Sequence, residues 1–151
     1  MSDKTIRLLS TFFYAGYCPV APGSLASLLA TFLCILIQGH PFLHIILFFV
    51  VTRLGFQVSG KMEELSKEED PSCVVIDEVS GILLSFFLIP ITTATVFTTF
   101  FLFRAFDMFK IYPANKFEKS GGGEGIMMDD IVAGLYTNII MHIALRLAGI
   151  I

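Results

Sequence analysis

Three long stretches of this chain carry no formal charge, and they constrain it more than any other feature. No Lys, Arg, Asp or Glu occurs from Pro19 to Thr52, from Val79 to Phe103, or from Ile131 to Leu145. A bilayer-spanning helix needs about 20 predominantly apolar residues, so the first stretch is too long for one span. It breaks at Gln38-Gly39-His40-Pro41, where Gly and Pro punctuate a helical pattern, and predicts helices over 24–38 and 42–58. The second breaks at Pro90-Ile91-Thr92-Thr93 into arms over 79–90 and 91–106, each short for a full span of ~30 Å, so that one kinked helix is the alternative to a hairpin. The third predicts a last helix over 131–151, and residues 59–70 read as a short charged helix on the cytoplasmic side with Met62 and Leu65 turned to the membrane or the bundle. The expected fold class is all-α: a polytopic helical membrane protein, with hairpins of apolar helices and acidic motifs at their cytoplasmic ends.

Composition agrees. Of 151 residues, 55% are hydrophobic and 15% charged, and the mean hydropathy is +0.79. Soluble domains average roughly 45–50% apolar and about 25% charged residues. The length favours one domain, residues 1–151. The net charge of −3 and the absence of a basic stripe exclude nucleic acid as an expected partner. Cys18, Cys34 and Cys73 are odd in number and form no CxxC pair, so they read as core residues rather than a zinc site or disulfide framework. The apolar run after Lys4 and Arg7 is short and lacks a cleavage pattern, so the N-terminus is read as mature.

The charges orient the helices. Lys4, Arg7, Arg53, Lys61, Lys67, Arg104, Lys110, Lys116 and Lys119 lie before, between or after the hairpins, while the turns near His40 and Thr92 hold none. The positive-inside rule then places the turns outside and the charged segments in the cytoplasm. The last helix leaves Arg146 on the outer side, where it must snorkel or pair.

Acidic residues cluster at the ends of apolar helices: Asp77-Glu78, Asp107 and Asp129-Asp130. Charges there are costly unless paired, hydrated or bound to metal, which makes them functional candidates. Clusters offering only oxygen ligands suit Mg²⁺ or Mn²⁺ better than zinc. Plainer readings stand beside this one. Asp129 or Asp130 could cap the last helix, Asp77-Glu78 could favour a helix start through the dipole, and Asp107 could form a surface ladder with Arg104 and Lys110. Two segments suit phosphate: Pro22-Gly23-Ser24 at a helix start, with Ser24 as N-cap, though many helices begin this way, and the glycine-rich loop 121–125, which could wrap a headgroup or be only a flexible connector. His40, His44 and His142 have no ligand spacing and read as structural.

Four ordered segments carry a resemblance. Gly16–Ser24 (GYCPVAPGS) resembles G-x-x-P-x-A-P-G-[TS] of the phosphatidylglycerophosphatase A family. Asp70–Gly81 (DPSCVVIDEVSG) resembles its D-P-x-x-[VI]-V-[IL]-D-E-x-x-G, and Phe103–Lys110 (FRAFDMFK) its F-R-x-F-D-[IM]-x-K. Gly122–Gly134 (GGEGIMMDDIVAG) is similar to G-G-x-G-[VI]-M-x-D-D-x-x-A-G. One departure is Ile111-Tyr112-Pro113 after Lys110, where the family often has Pro-x-Pro.

The resemblance implies an Mg²⁺-dependent hydrolase of the inner (cytoplasmic) membrane, multi-pass, its active site facing the cytoplasm. Its lipid substrate would be phosphatidylglycerophosphate, converted to phosphatidylglycerol and inorganic phosphate. It further implies Asp77, Glu78, Asp129 and Asp130 as metal ligands, and Asp77, Asp107 and Asp130 as catalytic groups. Arg104, Lys110, Pro22, Gly23, Ser24, Gly123 and Gly125 would bind substrate. The rival from another class is a small cation transporter, which expects its acids in mid-helix along a path.

Overall fold

The computed structural model describes residues 1–110, 112 and 122–151, and among these it contains six α-helices and no strand. Helix α1 (Asp3–Ser10) starts at Ser2, whose hydroxyl accepts from Thr5 N at 3.3 Å, and buries Ile6 with Val58 and Met62. Three consecutive left-handed residues, Phe12, Phe13 and Tyr14, then reverse the chain. Thr11 holds this turn: its hydroxyl donates to Arg7 O (2.7 Å) and accepts from Tyr14 N (3.1 Å). At Gly16 the turn lies so close to the backbone of Cys73 that a Cβ would stand 1.9 Å from its carbonyl oxygen. Val75 N also donates to Ser10 O (2.9 Å), so the first two motifs are pinned together by main chain.

Helix α2 (Pro22–Leu36) follows a left-handed Ala21, with Pro22 at its first position, where a fixed φ and a missing N–H suit a helix start. Ser24 therefore lies inside the first turn and is not the N-cap. Helix α3 (Pro41–Ser66) does not stop at residue 58: it runs on through the charged segment expected as a separate helix. Gly60 does not break it, because the face without a Cβ receives Gly123 of the last helix. Of the two environments open to Met62, it takes the bundle, where it is buried.

Helix α4 (Ile76–Ser85) is buried over nearly all its residues, as befits a short helix apolar on every side. The break expected at Pro90–Thr93 is present, with Leu88 left-handed and a Thr92/Thr95 capping box opening α5 (Thr93–Phe109). The last helix, α6 (Gly122–Leu147), begins nine residues before the expected start at 131. Gly122, Gly123 and Gly125, read as loop, lie in its first turn. Glycine costs helix stability, but a Cβ at Gly123 would meet Phe56 O at 2.7 Å and Gly60 N at 2.9 Å, so close packing on α3 overrides propensity.

Helices α4 and α6 meet backbone to backbone. A Cβ at Gly134 would stand 2.4 Å from Gly81 O, and one at Gly81 would meet Asp130 O at 2.8 Å. Small residues permit such approaches between membrane helices. Around this contact Ala26, Ala30, Val79, Ile82, Phe103 and Ala133 form the larger apolar cluster.

Helices α3 and α6 are long and apolar enough to cross a membrane. Large apolar side chains also face outward on α2, α3, α5 and α6, among them Phe32, Phe42, Phe101 and Ile143. Exposed apolar surface of this extent marks a membrane or partner face. The turn before α3, the turn before α5 and the terminal Ile151 line one pocket at one end of the molecule. The motifs with charge lie at the other.

Candidate active site

At that other end a chamber of about 330 Å³ is walled by four helices and the segment before α4. Helix α2 brings Pro22, Gly23 and Ser24 in its first turn. Helix α4 brings Asp77 and Glu78, also in its first turn. Helix α5 brings Arg104 and Asp107 near its C-terminus, with Lys110 as its left-handed cap. Helix α6 brings Asp129 and Asp130 from its interior.

The register follows from the glycine crossing. Asp77 lies four residues before Gly81 and Asp130 four before Gly134, so each carboxylate stands one turn from the contact on the same helical face. One carboxylate oxygen each of Asp77, Glu78 and Asp130 lies within 4.8 Å of the others. Gly23 completes the close fit, since a Cβ there would stand 1.9 Å from Glu78 Oε1.

The cations are already engaged. Arg104 Nη1 pairs with Asp107 Oδ2 at 2.5 Å and lies 4.0 Å from Glu78 Oε1 and 3.5 Å from Ser27 Oγ. Lys110 Nζ reaches across to Asp129 Oδ2 at 3.1 Å, and Asp129 Oδ1 accepts from Asp130 N at 3.0 Å. The ladder reading thus holds for Asp107 with Arg104, and Lys110 ties α5 to α6. The capping reading of Asp129 and Asp130 fails, because both lie inside α6 and not at its start. Asp77 and Glu78 do occupy a helix start, and they face the chamber as well.

Among the described residues Asp77 Oδ1, Glu78 Oε2 and Asp130 Oδ2 are buried without a hydrogen-bond partner. Leaving such an atom unpartnered costs several kcal/mol if it is charged. Six carboxylates line the chamber against two cationic side chains, Arg104 and Lys110. An oxygen-only donor set of this kind, with its orphaned atoms converging, fits a hard divalent cation.

Two predicted positions fall elsewhere. Gly123 packs on Phe56 and Gly60 of α3, because its missing Cβ admits that contact. Gly125 is buried and lines an adjoining pocket of about 260 Å³ with Glu63 and Glu69, which meets the chamber at Asp70 and Asp129. Neither reaches the chamber, and the remainder of the 121–125 loop, Gly121, lies outside the described residues, as does Ile111. Conversely, the chamber includes Asp70 and Ser72, and Ser27 touches Arg104; none of these was singled out. Asp70 opens a quoted motif, and Ser27 follows Ser24 by three residues on the same face, so both carried a signal. Two of the histidines have structural bonds: His44 Nε2 bonds Leu83 O (2.7 Å) and His142 Nδ1 bonds Asn138 O (2.9 Å). Cys34 is buried, and burial pushes the Cys73 thiol up.

Comparison with known proteins places the chamber in context. A family model described as phosphatidylglycerophosphatase A matches residues 8–145. A Bacteroides thetaiotaomicron protein provisionally named phosphatidylinositol-3-phosphatase is 34% identical, covering 94% of this chain and 94% of its own. Phosphatidylglycerophosphatase A of Haemophilus influenzae is 31% identical over 90% of this chain and 86% of its own. The Escherichia coli protein of the same name is 32% identical over 90% and 81%. No solved structure matches the chain at a significant level.

Proposed function

The chain belongs to the phosphatidylglycerophosphatase A family, and on that premise we propose that it hydrolyses phosphatidylglycerophosphate to phosphatidylglycerol and inorganic phosphate, with Mg²⁺ bound by Asp77, Glu78 and Asp130. The observation that carries this reading is the set of three orphaned carboxylate oxygens beside two cationic side chains and a helix start. The bound cation would neutralise charge on the phosphate oxygens as a Lewis acid.

The chain's own groups do the rest. Phosphoryl transfer needs chiefly positioning and charge stabilisation. The N–H groups of Gly23 and Ser24 in the first turn of α2 have no intrahelical acceptor and suit a phosphate oxygen. Arg104 and Lys110 offset the negative charge that gathers on the phosphate. Asp107, oriented by Arg104, is placed to take the proton of the attacking water and return it to the departing glycerol oxygen as the P–O bond breaks. Asp129 positions Lys110.

The convergence of the acids at one end of the bundle speaks against the transporter reading, which expects them strung along a path. Among the described residues no Lys or Arg lines the pocket at the turn end, where Arg146 in the last turn of α6 is the basic residue, while Arg104 and Lys110 line the chamber. This bias supports a multi-pass protein of the inner membrane with the chamber facing the cytoplasm. Reporters at His40 and Thr93 should then face outward, and those at Lys67 and Ser120 the cytoplasm. Lys67 and Thr93 reporting the same side would overturn this topology.

The Bacteroides relative favours a second headgroup, a phosphatidylinositol phosphate, in the same chamber. Phosphate release by the purified protein from both lipids, with EDTA and with Mg²⁺ restored, decides between them. We expect phosphatidylglycerophosphate to be turned over faster and only with the cation present. A preference of tenfold or more for the inositol lipid would reassign the headgroup, and full turnover after exhaustive chelation would remove the metal.

A further inference from the structure

Helices α2 and α5 continue past the chamber, and their facing surfaces change character abruptly. On α2 one face reads Ser24, Leu28, Thr31, Ile35, and on α5 the matching face reads Asp107, Arg104, Phe100, Phe97. These spacings of three and four keep each row on one side of its helix. Each row is polar at the chamber and, one turn on, becomes apolar but for Thr31, whose hydroxyl is used up on Ser27 O (2.8 Å). The junction is marked by Ser27 Oγ, 3.5 Å from Arg104 Nη1.

Beyond it lies an open groove of about 500 Å³, lined by Leu28, Phe32 and Ile35 on one side and Phe97, Phe100 and Phe101 on the other. Several of these side chains are left uncovered by the protein, with Leu28 55% and Phe97 59% exposed.

We propose that this groove seats an acyl chain of the lipid phosphate while its headgroup occupies the chamber. The inference rests on the lipid-phosphatase reading above and adds where the hydrophobic part of the substrate goes. Three observations select this occupant. The groove is continuous with the phosphate end through the same two helix faces. From Ser24 to Ile35 the row rises about 16 Å at 1.5 Å per residue, close to half of a hydrocarbon core of ~30 Å, which is the depth one chain of one leaflet reaches. Its volume falls in the range of ligand sites, roughly 300–1,000 Å³. Arg104, whose Nη1 pairs with Asp107 in the chamber and also lies 3.5 Å from Ser27 Oγ, stands where the headgroup ends and the chain begins.

The test is a ratio. kcat/KM is measured for long-chain phosphatidylglycerophosphate in mixed micelles and for its deacylated, water-soluble counterpart. Leu28→Trp fills the groove, and the long-chain to deacylated ratio should fall about tenfold. Phe49→Trp and Ile143→Trp, on outward faces of α3 and α6, should leave the ratio unchanged. Should Leu28→Trp lower the melting temperature, Phe97→Ala, which widens the groove at an exposed ring, reads the same ratio and should lower it several-fold. A wild type active on both substrates whose ratio is unmoved by either groove variant, or moved equally by the α3 and α6 variants, overturns the groove assignment alone. Self-association lost in Leu28→Trp with an unmoved ratio gives the groove to a second copy instead. A wild type that releases phosphate from neither substrate overturns the headgroup reading, and the groove assignment with it.

Discussion

The two ends of the helix bundle hold pockets of nearly the same size, about 330 Å³ at the acidic end and 350 Å³ at the turn end. Both contain polar groups, yet the accounting differs. At the turn end His44 is spent on Leu83 O, Asn138 donates to Ser85 O and Phe87 O, and Thr95 donates to Pro90 O. Leu83 O and Ser85 O are carbonyls freed where α4 ends, and Phe87 O and Pro90 O belong to the turn that follows, so the polarity serves the turn. At the acidic end three carboxylate oxygens stay unmatched while the basic groups are shared. Size and concavity do not separate the two pockets. Unmet electrostatic demand does, and that demand is what a phosphate and a cation would satisfy.

The comparison breaks or sharpens first on activity. Asp77→Asn and Asp130→Asn keep the shape of the side chain but remove an anion, and each should lower kcat on the order of 10²-fold or more, the scale of losing a key electrostatic group. His44→Ala and Asn138→Ala should stay within a few-fold per folded molecule. Equal losses at both ends would erase the distinction. A second measure is thermal: Mg²⁺ at 100 times its Kd should stabilise the wild type by about 2.7 kcal/mol, seen as a raised melting temperature that Asp130→Asn lacks. At the turn end the sign of interest is stability alone, because His44→Ala leaves Leu83 O unpartnered, and a loss of about 1–3 kcal/mol is expected in unfolding experiments. The smallest effect belongs to Glu63→Gln and Glu69→Gln, acids outside the chamber, which should change neither turnover nor stability beyond about 0.5 kcal/mol.

Much of this was legible in the residues, and the misses share a cause. The charge-free stretches and their Gly-Pro breaks located α2, α3 and α5 to within a few residues, except where α3 runs on through Gly60. The acidic clusters, read as expensive in an apolar chain, named the chamber's carboxylates. What failed was the behaviour of glycine. The glycines of 121–125 read as a loop and the helix before Gly60 as ending at 58, whereas in the structure Gly60 and Gly123 let α3 and α6 touch. Whether a glycine ends a helix or admits a neighbour depends on what lies opposite, which local sequence does not contain. The early start of α6 follows from the same fact, and with it Asp129 and Asp130 moved from the edge of a helix to its interior. Ser24 lost its capping role because Ala21 adopts a left-handed conformation, one that a non-glycine residue seldom enters without tertiary support.

The Gly81–Gly134 crossing bears on whether such a site could be carried elsewhere. The spacing of Asp77 and Asp130 is set one turn away, about 5.4 Å along each helix, by two backbones in contact, so it belongs to the scaffold as much as to the acids. A graft of the acidic residues onto another pair of helices would import the charges without their separation. Any side chain at the two glycine positions would wedge the helices apart, and the carboxylates would no longer converge. The portable unit is the pair of five-residue segments, acid to glycine, on both helices together.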